Sequence, residues 1–216
     1  MLNMLSLRNK MIPKELLENP YFTLSQLALL TKNKKNALVY ISRWLKNNLI
    51  TKIRDGFYIS SSKFLEFSLE GKISSFIEYI ATNLMYIPSY LSLEYVLYEN
   101  SIITENVYNI TCITTKKTAK FENNFGNFSY RSIKKDFFGD YEIVKKDGFI
   151  IYKATKEKAL FDYFYLKSDI IFDLDYFKEL RLNLKNINLT KFEKLTKKYK
   201  SEKMIKVFNL LKDLKG

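Results

Sequence analysis

The chain contains no histidine. That absence removes the commonest metal ligand and the general base on which Ser-His-Asp and Cys-His catalysis depend. There is one cysteine, Cys112, so neither an internal disulfide nor a cysteine-based zinc site can form. Cys112 sits on the apolar side of an alternating segment from Tyr108, which reads as a strand with a buried structural thiol. No apolar run reaches the length of a transmembrane helix and no secretory leader pattern is present, so the expected compartment is the cytoplasm and no membrane partner is expected. The six glycines are scattered and build no phosphate-cradling loop, and no cofactor is expected. The one local group of carboxylates near the strands, Asp136, Asp140, Glu142 and Asp147, is interleaved with Lys134, Lys135, Lys145 and Lys146. It lacks metal-ligand spacing and reads as solvated strand edges, leaving no residue to nominate as catalytic and none as a metal ligand.

What is present is a globular chain with a cationic excess. Of 216 residues, 47% are hydrophobic and 16% aromatic, enough for a core in one or two domains. The 36 Lys and Arg against 23 Asp and Glu leave a net charge of +13, which favours a polyanionic partner. The excess is uneven: residues 1–62 hold ten basic and three acidic residues, so over half of it lies in less than a third of the length.

That cationic third has the pattern of a winged helix-turn-helix. Thr23 is placed to cap a helix carrying Leu24, Leu27, Ala28 and Leu30, and Thr31-Lys32-Asn33 interrupts it. A second helix then runs to about Asn47, with Ala37, Leu38, Ile41, Trp44 and Leu45 on one apolar face. The opposite face carries Lys34, Lys35 and Asn36 in the first turn, then Tyr40, Arg43 and Asn47. The segments 50–54 and 57–59 flank Asp55-Gly56, a hairpin signal in which both turn positions favour φ > 0, and so form a wing with a basic edge. Upstream, the apolar Met1–Leu7 stretch and a helix beginning at Pro13 are expected to pack behind these helices.

Beyond a boundary at 65/66, within a connector spanning 62–72, the pattern is α+β: a small antiparallel sheet flanked by helices. An amphipathic helix is expected over 72–85 and another over 89–98, capped by Ser92 or Ser89. Four or five short strands follow, including a second Asp-Gly hairpin at Asp147-Gly148. Thr155 caps a helix through Leu166, and the last helix carries Met204, Ile205, Phe208 and Leu211 on one stripe. Lys158 and Asp162 form an i,i+4 pair, and Glu157 suits the helix N-terminus.

In order and spacing, Pro88 to Glu94, Ile113 to Thr118, Phe121 with Gly126 to Tyr130, and Ala154 to Asp162 resemble the AbiEi antitoxin family of bacterial abortive-infection systems. The N-terminal winged helix, closed by Gly56-Phe57-Tyr58, is similar too, and the resemblance covers nearly the whole chain. Its aromatic Phe161-Asp162-Tyr163-Phe164-Tyr165 segment and Lys-rich tail depart from the family pattern. The resemblance implies a type IV antitoxin whose N-terminal domain binds inverted repeats in its own promoter. Its C-terminal domain would neutralise a nucleotidyltransferase-like toxin, with direct contact not required.

The expected DNA interface comprises Lys34, Lys35, Asn36, Tyr40, Arg43, Lys52 and Arg54. Arg43 and Asn36 are of the types that read guanine and adenine bidentately, while the lysines suit phosphates; Tyr40 serves equally as rim packing. Lys116 and Lys117, beside threonine hydroxyls, form with Lys158 a candidate phosphate-binding or antitoxin surface. The expected state is a monomer in solution, with cooperativity on double-stranded DNA left open. Two other classes stay open: a winged-helix regulator whose second domain senses a small molecule, and a nucleic-acid enzyme.

Overall fold

The computed structural model describes residues 11–215, which form two compact units: residues up to Ile77 together with Asn123–Phe125, and the rest of the chain. The apolar Met1–Leu7 segment lies outside the described residues. Among those described, no helix is long and apolar enough to cross a membrane.

The first unit begins with α1 (Lys14–Leu17), started by Pro13 as expected and anchored by buried Leu16. It continues through β1 (Phe22–Thr23), α2 (Leu24–Thr31), α3 (Lys34–Lys46), β2 (Ile50–Arg54), β3 (Phe57–Ser60) and α4 (Ser61–Leu69). Local chemistry explains the boundaries. Thr23 forms a capping box: its hydroxyl accepts from the Gln26 N–H at 3.2 Å, and the Gln26 side chain accepts from the Thr23 N–H at 2.7 Å. Lys32 ends α2 in the left-handed region at φ 53°, and Asn33 caps α3 by accepting from the Lys35 N–H. The three strands pair in the order β1-β3-β2, all antiparallel. The turn differs from the expectation, because only Gly56 of the Asp55-Gly56 pair has positive φ, at 77°, and the register slips between Lys52 and Arg54. A bulged strand absorbs the twist that two left-handed residues would otherwise supply.

The core of this unit is Leu16, Phe22, Leu27, Ala37, Ile41, Trp44, Ile50 and Tyr58. Trp44 meets Phe22 edge-on at 6.3 Å between ring centroids and Tyr40 at 5.8 Å. Leu38, expected on this face, is 47% exposed instead, since the helix turns it past the edge of the core. The segment after the hairpin, read as a connector, is helical. Phe67 packs on Phe76, and Phe64 and Phe76 both pack on Phe125, so the unit runs on to Ile77 instead of ending near 65.

The second unit holds the end of α5 (Ile73–Ile80), a π-helical turn (Ala81–Met85), β4 (Ser89–Leu91), α6 (Leu93–Glu99) and β5 (Asn109–Thr114). Then come most of β6 (Ala119–Asn123), β7 (Gly126–Ser132), β8 (Tyr141–Lys146), β9 (Phe149–Ala154), α7 (Lys156–Leu166), α8 (Leu174–Glu179), α9 (Leu189–Tyr199) and α10 (Glu202–Lys215). This is the expected α+β class. Its sheet has six strands in the order β6-β7-β5-β4-β9-β8. The pairs β4–β5 and β8–β9 are antiparallel, whereas β5–β7 and β4–β9 are parallel. The parallel pairing at β9 exists because Ser89–Leu91, read as the start of a helix, is a strand at the sheet centre with all three residues buried. Asp147-Gly148 makes the expected tight hairpin, here with both residues at positive φ (53° and 85°). On the last helix Met204, Val207 and Leu211 are buried while Ile205 is 47% exposed, so Val207 takes the place expected of Ile205.

Candidate nucleic-acid interface

Burying Ala37, Ile41 and Trp44 forces the other side of α3 outward. Lys35, Asn36 and Arg43, all nominated from sequence, are exposed there, Lys34, also nominated, is exposed where the helix begins, and Asn47 at the helix end donates its side-chain amide to the Arg43 carbonyl at 2.8 Å. Tyr40 is half-buried against Trp44 and lines, with Arg43, Trp44 and Asn47, a concavity of ≈ 320 Å³ on the flank of the helix. Its ring is therefore packing and rim at once. Three outward residues escaped the sequence reading: Val39, Ser42 and Lys46, which share a stripe with Lys35 at i, i+4, i+7 and i+11. The signal was there, because this is the stripe opposite Ala37, Ile41 and Trp44. Among the described residues no carboxylate pairs with Lys34, Lys35, Arg43 or Lys46. Their charge is uncompensated locally and open to a polyanion.

The hairpin cations are held more tightly. Lys52 donates to the Asp55 carboxylate at 2.6 Å, a bond that raises the lysine pKa and lowers that of Asp55. Arg54 lies 4.0 Å over the Phe57 ring, and its Nε is buried without a hydrogen-bond partner. Stacking on an aromatic face fixes the guanidinium plane and limits the entropy lost when it meets a ligand.

The second candidate surface separates in the structure. Lys116 and Lys117 are exposed at the end of β5, with the Lys116 ammonium 4.9 Å over the Tyr86 ring. Lys158 is not on that surface. Its side chain is fully buried, donating to Asp162 at 2.6 Å and to the Phe137 carbonyl at 3.0 Å. The expected i,i+4 pair is thus formed, but inside the fold, where it cannot take a phosphate from solvent. Asp162 also accepts from the Tyr90 hydroxyl at 3.0 Å and the Ser92 hydroxyl at 2.8 Å. Ser92 occupies the N-cap of α6 but spends its hydroxyl on Asp162, and no side-chain cap forms there. Burial raises the Asp162 pKa, and the Lys158 ammonium and the two hydroxyls pull against it. The rings of Tyr199, Phe161 and Tyr90 lie 5.0, 5.3 and 5.8 Å from the Lys158 nitrogen. Every polar atom of the cluster is spent on another, so it has the chemistry of a structural lock.

Glu157 is likewise buried, accepting from the Asn188 N–H at 3.0 Å. The Lys-rich tail is partly structural: Lys203 donates to the carbonyls of Tyr165 and Lys167 at the C-terminal end of α7, where a cation complements the helix dipole. Asp140 accepts from Lys198 and Tyr199, both at 2.6 Å. Among the described residues no group of three or more Asp, Glu, Cys or His is placed to hold a metal ion. A cavity of ≈ 280 Å³ has Leu93, Glu94, Arg131, Tyr163, Lys167 and Asp169 in its wall, with Leu93 at φ 60°.

No model of a known protein family matches the chain. No curated protein matches it either.

Proposed function

We propose that this chain is a DNA-binding autorepressor and antitoxin of a type IV, AbiE-like toxin-antitoxin pair. In this reading the first unit is a winged helix-turn-helix, with α2 and α3 as the two helices and the β2–β3 hairpin as the wing. The reading is carried by one observation: the outward stripe of α3 is cationic, has no carboxylate partners among the described residues, and adjoins in sequence a hairpin that holds a stacked arginine. The antitoxin half rests on the resemblance of the 88–94, 113–130 and 154–162 segments to the AbiEi family.

At the operator, α3 lies in the major groove, whose width of about 12 Å admits one helix. Lys34, Lys35 and Lys46 take phosphates, Arg43 and Asn36 reach base edges, and Lys52 and Arg54 on the wing take the flanking backbone or minor groove. Lys52 must exchange Asp55 for a phosphate to do so, and that exchange reduces its net gain. The second unit counteracts a nucleotidyltransferase-like toxin without forming a required complex, and the whole acts in the cytoplasm. The protein is a monomer that occupies inverted repeats in its own promoter.

The test has two arms. Fluorescence anisotropy on the chain's own upstream region should give a log-affinity against log-salt slope of about −4.5 to −6.3, as expected for about five to seven phosphate contacts. Arg43→Ala should flatten the preference for that sequence over random duplex, and Lys46→Ala should weaken both alike. Co-expression with a nucleotidyltransferase-like toxin of the AbiE type should relieve the growth arrest that the toxin causes alone. A slope near zero removes the repressor half, and toxicity unrelieved by the intact protein removes the antitoxin half. A small-molecule sensor is the second reading, favoured by the Leu93 cavity with its strained backbone and its arginine. At ≈ 280 Å³ that cavity lies just under the usual range for ligand pockets, about 300 to 1,000 Å³.

A further inference from the structure

Of the two positions on α3 that point most directly away from the core, one is not charged. At 100° per residue, the direction opposite the mean of Ala37, Ile41 and Trp44 lies about 7° from Lys46, the last residue of the helix, and about 13° from Val39. Val39 is 47% exposed, between Lys35 one turn before it and Ser42 and Lys46 after it. A β-branched residue is a poor choice for a solvent-facing helix position: it loses χ1 freedom against the preceding turn and leaves apolar surface in water. Lysine, glutamine or glutamate would serve the free helix better.

A protein partner is a poor fit for such a stripe, because covering the valine would desolvate Lys35 and Lys46 on either side. The major groove suits it. Phosphates on the two rims take the cations, and the floor, which the outermost point of an inserted helix meets, offers one apolar group, the C5 methyl of thymine. Leu38 is equally exposed but lies about 100° round the helix, off the floor-facing stripe.

We propose that Val39 reads a thymine in the operator through contact of its γ-methyls with the C5 methyl, with Ser42 alongside to hydrogen-bond the neighbouring base. The proposal rests on the duplex-binding reading above and adds a specificity-determining residue that is neither charged nor amidic.

The experiment selects duplexes from a random-sequence pool with the full chain, then resynthesises the selected site with deoxyuridine replacing each thymidine in turn. Wild type should show one position where loss of the methyl weakens binding by about three- to tenfold. Val39→Asn should bind that site with the thymine–uracil difference abolished, and Val39→Thr, keeping one γ-methyl, should retain part of it; matching far-UV circular dichroism shows that both fold. Equal uracil sensitivity in Val39→Asn, or no sensitive position in wild type, overturns this inference alone. No enriched duplex at all overturns the duplex-binding reading and this one with it. A dimer of the free protein that Val39→Asn dissolves overturns the inference in favour of a second copy as the occupant.

Discussion

Replacing Lys158 by methionine puts a number on the buried ion pair. Methionine keeps most of the side-chain volume among Tyr90, Phe161 and Tyr199, so the change is electrostatic. It leaves the Asp162 carboxylate with two hydroxyl donors and no counter-charge, in a site with no solvent access. Removing one partner of a buried pair costs about 3 to 5 kcal/mol. The second unit has another way out, which is to protonate Asp162, and it becomes the cheaper one as pH falls below about 7. From an unfolded-state pKa of about 3.9, holding that proton at pH 7 costs about 4 kcal/mol, and at pH 5 about 1.5 kcal/mol. The sign follows from linkage. The folded variant holds a proton that the unfolded chain has released, so its stability falls as pH rises above the unfolded carboxylate value. Urea unfolding of wild type and Lys158→Met, followed by far-UV circular dichroism at pH 5, 6 and 7, should show the deficit growing by about 1.4 kcal/mol per pH unit. At pH 7 the melting temperature should drop by on the order of 10 °C. The double variant Lys158→Met/Asp162→Leu should recover most of the loss at pH 7, because an apolar pair of similar volume carries no desolvation cost. A deficit that does not change with pH, or a double variant worse than the single one, would refute the reasoning.

Three further outcomes follow from the same geometry. Burial raises the Asp140 pKa, but its hydrogen bonds from Lys198 and Tyr199 outweigh that and the net shift is downward. Its contribution is therefore present above the unfolded carboxylate value and lost as pH falls through the lower folded value. Asp140→Asn should flatten the acid limb of a melting-temperature profile below about pH 4, and an unchanged limb refutes the assignment. Cys112 is fully buried in β5 and its thiol pKa is pushed up by burial. A disulfide reagent at pH 8 should leave it untouched in the native protein and modify it in denaturant, whereas native-state labelling at the denatured rate would contradict that burial. Thr23→Ala removes the hydroxyl half of the capping box and should cost about 1 kcal/mol, read from unfolding followed by Trp44 fluorescence; no measurable loss would mean that the box does not hold the start of α2.

How much of this was legible in the residues can be judged element by element. The Thr23 cap, the Lys32-Asn33 break, the Asp55-Gly56 hairpin and the i,i+4 pairing of Lys158 with Asp162 all depend on partners within four residues, and all are present. Lys35, Asn36 and Arg43 lie on the exposed side of α3, because the helical period alone separates them from Ile41 and Trp44, whereas Lys34 shares the stripe of Ile41 and is exposed because it begins the helix. Val39, Ser42 and Lys46 were equally readable from that period.

What the residues determined unaided is where capped helices and tight turns begin and end and, to within a residue at the edge of the face, which side of α3 and α10 is buried, since caps, turns and 3.6-residue periodicity act over a few positions. Tertiary structure alone decided that Ser89–Leu91 is a central strand, because its partners are Cys112 to Thr114 on one side and Lys153 on the other. It also decided that Lys158 is sealed inside while Lys116 and Lys117 stay out. A lysine's exposure depends on what packs over it, and here the cover comes from Phe137 and Tyr199, twenty and more residues away along the chain, where no local pattern reaches.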